Sequence, residues 1–122
     1  MIQLRSTITV ADNCGARTAQ IIHVYKGFFH KKGGIGDIVM GVVQDSIPNG
    51  IVKAKEKIKM VIVRTKKETG RKDGSYIRFS DNAGIIIDSQ NNPRGTRIFG
   101  PIAREIKDLG FNKIASMAKE VY

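Results

Sequence analysis

The chain has 122 residues, with 21 Lys plus Arg against 11 Asp plus Glu for a formal charge of +10, and 41% hydrophobic residues. That length supports one domain, which buries roughly two-thirds of the surface its unfolded form exposes. No apolar run approaches the ~20 residues needed to cross a bilayer, and the opening MIQLRSTITV alternates instead of forming a signal-peptide core. The single cysteine, Cys14, excludes an internal disulfide. The expectation is a soluble intracellular chain with no membrane partner.

Taken in chain order, the first two-thirds read as short strands separated by turn chemistry. Ile2, Leu4, Ile8 and Val10 give period-two patterning, and ADNCGA then supplies Asp, Asn and Gly for an Asx-type turn in which Cys14 is a small residue. TAQIIHVY (Thr18 to Tyr25) is a second strand; after KGFFHKKGGIG, the β-branched DIVMGVVQ is a third. IPNG places Pro second and Gly fourth, as a type I turn prefers. IKMVIVRT follows, then a cationic hairpin turning at Asp73-Gly74, a dipeptide suited to a type I′ turn, then SYIRFS and GIIID. Short strands in close succession, with no helical spacing between them, predict a closed barrel or a sandwich over a βαβ sheet.

The tail changes character. DSQNNPRGTRIFG, Asp88 to Gly100, is a Gly/Asn/Pro-bearing loop too long for idle connection. Pro101 stands where a first helical residue would, with Ile102, Ile106 and Leu109 on one face and Gly110 as the stop. A second short helix, about Asn112 to Ala118, turns Phe111, Ile114, Ala115 and Ala118 inward. The organisation is one domain over 1–122: a mainly β body to about 88 that includes the hairpin 64–79, then a loop with two short helices over 89–122.

Enzyme chemistry finds no foothold. KKGGIGDIV contains G-x-G, but it lacks the dinucleotide fingerprint and precedes a strand instead of opening a helix. His23 lies in an apolar strand and His30 in a cationic loop, with no carboxylate or cysteine beside them to complete a metal or general-base set. Asp12, Asp37, Asp45, Asp81, Asp88 and Asp108 are scattered among turns and caps. The expectation is a protein that is not an enzyme, with no cofactor, metal or small-molecule substrate.

The charge is informative. From Lys53 to Arg78 there are ten cations against three anions, a local +7. Edge strands do carry Lys to block aggregation, and a solvated hairpin is the plain alternative. Two features favour a binding arm. Arg is mixed with Lys, and Arg makes planar, bidentate phosphate contacts. Tyr76 and Phe79 interleave with Ile77 and Arg78, so a phosphate-tracking side and an apolar or stacking side are expected to share one ribbon. KGFFHKK repeats the pairing of aromatics with cations, although Phe28 and Phe29 read better as packed than as stacked on bases. The candidate RNA contacts are Arg17, Lys26, His30, Lys31, Lys32, Lys53, Lys55, Arg64, Lys66, Lys67, Arg71, Lys72, Tyr76, Arg78 and Arg94. In the tail, Arg94 and Arg97 sit in a Gly-flanked loop that cannot bury two unpaired guanidiniums, while Ile98 and Phe99 anchor it to the body. Thr96, Arg97 and Lys113 are expected to reach outward.

The order VADNCGA, GDIV, IPNG, VIVRTKK, RKDGSYIRFSDNAG, PRGTRIFGPIARE and KIASMAKEV resembles the bacterial-type large-subunit ribosomal protein fourteen family over essentially the entire chain. The run Val61 to Asn82 and GTRIFGP are its most specific parts. The resemblance implies a small five-stranded β-barrel with a projecting β-ribbon and a C-terminal loop carrying two small helices. It also implies binding to large-subunit rRNA, neighbours among the large-subunit proteins (three and nineteen in bacteria), and a place at the interface with the small subunit. Small-subunit rRNA, or a factor that blocks subunit joining, then meets Thr96, Arg97 and Lys113. The ribosome is bacterial, in the cytoplasm, or organellar, in a mitochondrion or plastid. Two stretches depart from the family: HKKGGIGD replaces an Arg-rich loop ending in Tyr, and KAKEKIK replaces a Gly-Asp turn, which predicts a looser, more basic turn there. The competing reading is a free-standing nucleic-acid chaperone on an OB-like barrel, which has no need of GTRIFGPIARE.

Overall fold

Turn-bounded, β-branched runs become strands because their side chains pack on a pleated surface while Asp, Asn and Gly release the chain between them. The computed structural model describes residues 2–3, 6–25, 32–47, 50, 52–118 and 120–122, with the side chains of 2–3 and 32–33 excepted. Among them the strands are β1 (Ile2–Gln3), β2 (Thr7–Val10), β3 (Ala16–Val24), β4 (Lys32–Gly33), β5 (Ile38–Ser46), β6 (Lys57–Arg64), β7 (Thr69–Gly70), β8 (Tyr76–Ile77) and β9 (Ala83–Ile87). Two helices follow, α1 (Glu105–Asp108) and α2 (Asn112–Met117).

The order β2-β3-β5-β6-β9 closes on itself, so the body is a five-stranded barrel and not a sandwich. The ring is antiparallel except at its seam, where β2 runs parallel to β9 with Thr9 opposite Ala83 and Val10 opposite Gly84. Closure removes the unpaired edges that an open sheet would present. β1 pairs with β4, and β7 with β8, as two small ribbons separate from the ring.

β6 and β9 explain why the sequence loses its alternation there. Ile58, Met60, Ile62 and Ile86 fill the barrel with Ile8, Ile21, Val39 and Val43. Val61, Val63, Ala83, Ile85 and Ile87 point the other way, into a second cluster with Ile98, Ile102, Ile106 and Ile114. Strands buried on both faces read as continuous apolar runs. The tail is thus the cover of the barrel's outer face, and it supplies a second core there.

Three local expectations are corrected. Asp73-Gly74 does not form a type I′ turn, since Gly74 alone has positive φ, +89°. Gly74 N donates to Arg71 O at 3.1 Å and Arg71 N to Ser75 O at 2.8 Å, a turn with an extra residue in which Asp73 accepts from Ser75 instead of turning left-handed. KAKEKIK is tight, not loose: Glu56 N donates to Lys53 O at 3.2 Å, Glu56 Oε2 accepts from Lys53 N at 3.0 Å, and Lys55 takes φ +66°. The first tail helix does not start at Pro101. Ile102 and Ala103 are extended, donating to Glu120 O and Val63 O at 3.1 and 3.3 Å, so helical spacing begins only at α1 and Leu109 is left 58% exposed. Pro48 and Asn49 of the IPNG turn lie outside the described residues, although Gly50 N does donate to Ile47 O at 3.4 Å.

Candidate nucleic-acid interface

β6 leaves the barrel at Arg64 and Thr65, and the chain returns at Phe79, whose N–H donates to Thr65 O at 2.9 Å. The residues between form the projecting ribbon, pinned by Thr69 opposite Ile77 and Gly70 opposite Tyr76. The strand expected over SYIRFS pairs only at Tyr76–Ile77. Lys66, Lys67, Lys72 and Arg78 are exposed, and Tyr76 is 71% exposed, while Ile77 and Phe79 are half-buried. Tyr76 is thus exposed with the cations, whereas Phe79 is half-buried with Ile77, so the two aromatics do not share one stacking side.

The two acidic groups of the ribbon, Glu68 and Asp73, offset only part of the charge of Lys66, Lys67, Arg71, Lys72 and Arg78. Asp73 accepts from Ser75 N and Oγ at 3.0 and 2.6 Å, bonds that hold its carboxyl below the usual carboxylate range. Glu68 is 4.0 Å from Arg78 with both groups largely exposed, a pair of little strength in water. Lys66 N donates to Asn82 Oδ1 at 2.8 Å and Thr65 Oγ1 to Lys67 O at 2.9 Å, so backbone bonds fix the ribbon's root and leave both lysine ammoniums free of those contacts.

Other candidates lie elsewhere. Arg17 is exposed at the start of β3, and Lys53 and Lys55 are exposed at the turn before β6. Lys26, His30 and Lys31 lie outside the described residues, and Lys32 is described by its backbone alone, in β4.

Two arginines face the protein. Arg64 is 7% exposed; its Nη1 donates to Phe99 O at 3.0 Å and Pro101 O at 3.4 Å, its Nη2 to Asp81 Oδ2 at 3.3 Å, and its Nε lies 3.1 Å from Asp81 Oδ1. Its fork is occupied by the tail, so it is a clamp on the loop and not a surface cation. Arg71, half-buried, makes a two-pronged contact with Glu105 of α1: Nε to Oε1 at 2.7 Å and Nη2 to Oε2 at 3.4 Å. The ribbon is thereby bridged to the first tail helix.

The tail loop is held on the ADNCGA turn. Asn13 Nδ2 donates to Thr96 Oγ1 at 2.8 Å, and Asn13 Oδ1 accepts from Thr96 N at 2.8 Å and Arg97 N at 3.1 Å. Ile98 is buried and bridges Asp12. Phe99 anchors by backbone, not by ring: its N donates to Ala11 O at 2.6 Å while its side chain is 55% exposed. Thr96 and Arg97 are exposed, and so is Lys113 on α2, whose Ile114 shares the cluster of Ile98. Arg94 is half-buried, 3.9 Å from Glu56.

Beneath the loop, Asp12 is buried and accepts from Ile86 N at 3.1 Å, Cys14 N at 3.3 Å and the Cys14 thiol at 3.4 Å. Burial pushes its carboxyl above the usual range, opposed by those bonds and by the nearby Arg94 charge. Burial, and then the Asp12 charge, push the Cys14 thiol up to about 12, so it remains a thiol and donates. Sequence reasoning saw this turn but not its reach to residues 83 and 84 positions away, nor the roles of Asp81 and Glu105. The cluster of Asp, Asn and Cys was the only available signal.

The family model described as Ribosomal protein L14p/L23e matches residues 1–122. A curated relative from Petrotoga mobilis (strain DSM 10674 / SJ95), described as large ribosomal subunit protein uL14, is 52% identical over 122 residues, covering 100% of both chains. The match takes in the ribbon and GTRIFGPIARE together, which gives no support to a free-standing chaperone barrel. From barrel seam to tail, the chain belongs to the L14p/L23e family of ribosomal proteins, a component of the large subunit.

Proposed function

We propose that the chain binds large-subunit rRNA through the ribbon and through the separate basic turn before β6, and meets the small subunit through the tail loop and α2. The observation that carries the first part is the ribbon's unbalanced charge: Lys66, Lys67, Lys72 and Arg78 are exposed around an exposed Tyr76, with only Glu68 and Asp73 as anions among residues 66–78. Lys53, Lys55 and Arg17 add to the electrostatic footprint, and Lys26, His30, Lys31 and Lys32 complete it from the second basic stretch. Arg64 and Arg71 act behind this face by holding the tail. Thr96, Arg97 and Lys113 form the intersubunit contact, and the large-subunit neighbours are proteins three and nineteen, as the resemblance implies. The Petrotoga relative favours a bacterial ribosome over an organellar one.

The test is the salt dependence of binding to an rRNA fragment. Each neutralised phosphate contributes about −0.7 to −0.9 to the slope of log K against log salt. The triple replacement Lys66→Gln, Lys67→Gln, Lys72→Gln should therefore flatten the slope by about 2 to 3 units. An unchanged slope would place the RNA face elsewhere on the molecule.

A further inference from the structure

Thr96 and Arg97 lie in a segment without regular structure, and an unrestrained loop loses affinity to its own ordering when it docks. We propose that Asn13 is the positioning residue of this contact: its amide holds Thr96 and Arg97 in the docking conformation and sets the direction of the Thr96 hydroxyl proton. The inference rests on the reading of the loop as the intersubunit contact.

One side chain makes three bonds to two consecutive residues. Asn13 Oδ1 uses both acceptor positions on Thr96 N and Arg97 N, at 2.8 and 3.1 Å. With two N–H donors facing the oxygen, the orientation of the amide is determined, and Nδ2 is the end that meets Thr96 Oγ1 at 2.8 Å. Thr96 therefore accepts from Asn13, and its own O–H proton is left to donate outward. Beside it stands the exposed Arg97. A hydroxyl donor next to a guanidinium suits phosphate oxygens, the chemistry of an RNA backbone across the interface.

The mount is rigid. The residues flanking Asn13 are buried, and Asp12 is bonded to Ile86 of β9, so the amide is carried by the barrel's seam. The loop backbone also lies flat on the turn. A Cβ at Gly95 would stand 2.7 Å from Asn13 Oδ1 and 3.3 Å from both Asp12 Cβ and Cys14 Sγ, so only glycine allows this approach. Asn13 itself is exposed, and its replacement leaves the apolar core intact.

Amide hydrogen exchange on the full-length chain and gradient assays of large subunits carrying each variant test this together. Asn13→Ala should speed exchange at the Thr96 and Arg97 amides about 10-fold or more, with the Ile62 and Ile86 amides unchanged, and should weaken joining to small subunits in the same direction as Arg97→Glu. Asn13→Asp keeps both acceptor bonds but turns the Thr96 proton inward, so it should restore amide protection without restoring joining. Unchanged exchange at Thr96 and Arg97 in Asn13→Ala overturns the proposal. So does faster exchange with normal joining when Arg97→Glu is impaired. If Arg97→Glu itself joins normally, the intersubunit reading falls, and the exchange data still decide whether Asn13 sets the loop.

Discussion

Arg64→Lys isolates the value of a forked cation over a point charge in this fold. The guanidinium serves three groups: Phe99 O at 3.0 Å, Pro101 O at 3.4 Å and the Asp81 carboxylate at 3.1 to 3.3 Å. A lysine ammonium keeps the charge but occupies one point, and it cannot span that set. A hydrogen bond from a charged donor is worth about 1.5–3 kcal/mol. The Pro101 bond is long, and Asp81 is 39% exposed, so water replaces much of what that carboxylate loses and its share falls below about 1 kcal/mol. The cost of Arg64→Lys is then about 2 kcal/mol, and Arg64→Ala adds the packing of a buried stem for about 3–4 kcal/mol in all. Urea denaturation gives the total. Hydrogen exchange locates it: the clamp lies between β6 and the loop, so the Ile102 and Ile106 amides should exchange roughly 30-fold faster, as about 2 kcal/mol requires, while β3 and β5 amides change little. An Arg64→Lys protein within about 0.5 kcal/mol of wild type, with unaltered exchange in the tail, would refute the reasoning.

Two further outcomes follow from single backbone and side-chain features. Lys55 holds φ +66°, which costs an L-residue roughly 1–2 kcal/mol, so Lys55→Gly should raise stability by about 0.5–1 kcal/mol after the entropy of glycine is subtracted, measured as the denaturation midpoint; a fall in midpoint would contradict it. Asp12 has its folded-state carboxyl raised above 3.8, chiefly by burial, so its contribution to stability is fully present below that value and is lost as pH rises through the folded value. The stability of wild type minus that of Asp12→Asn should therefore decline as pH is raised from about 3.8, and a difference that grows with pH would show that the hydrogen bonds outweigh burial.

The elements were legible where one physical signal acted alone. Asx chemistry marked the turn at Asp12 and Asn13, and β-branched runs marked β3, β5, β6 and β9. Gly110 after Leu109 ended the first helix as expected. The errors arose where a distant segment competed for the same backbone. Ile102 obeys helical spacing with Ile106, yet its N–H is claimed by Glu120 O and its neighbour's by Val63 O, so tertiary pairing overrode local pattern. Lys55 took a left-handed turn that propensity assigns to glycine, because Glu56 caps the turn through its side chain and Lys55 N reaches Val43 O at 2.7 Å. Density of charge marked the ribbon's exposed cations at 66, 67, 72 and 78, but charge alone cannot distinguish a cation that faces water from one that faces a carbonyl. Arg64 and Lys66 are two residues apart and differ in this respect: Arg64 ends β6 with its fork on Phe99 O, whereas Lys66 lies past the strand with its side chain exposed.

That distinction also explains how a chain of +10 keeps a small barrel folded. The cations closest to the core are each matched by a local carboxylate or carbonyl: Arg64 by Asp81 and Phe99, Arg71 by Glu105, Arg94 by Glu56. Those that project are separated from the core by the ribbon or by a turn, where repulsion is screened within about 8–10 Å at physiological salt. The matched arginines all bind partners far from them in sequence, between 17 and 38 residues away, and all three join the barrel or ribbon to the tail. An Arg fork suits this work because one group holds several oxygens in a fixed plane, whereas Lys at the same places would hold one. Lysine dominates where the charge faces water, at 66, 67 and 72, as its compact, well-hydrated head prefers. Within 64–72 the two cations thus divide the work: Arg64 and Arg71 hold the tail, while Lys66, Lys67 and Lys72 face water.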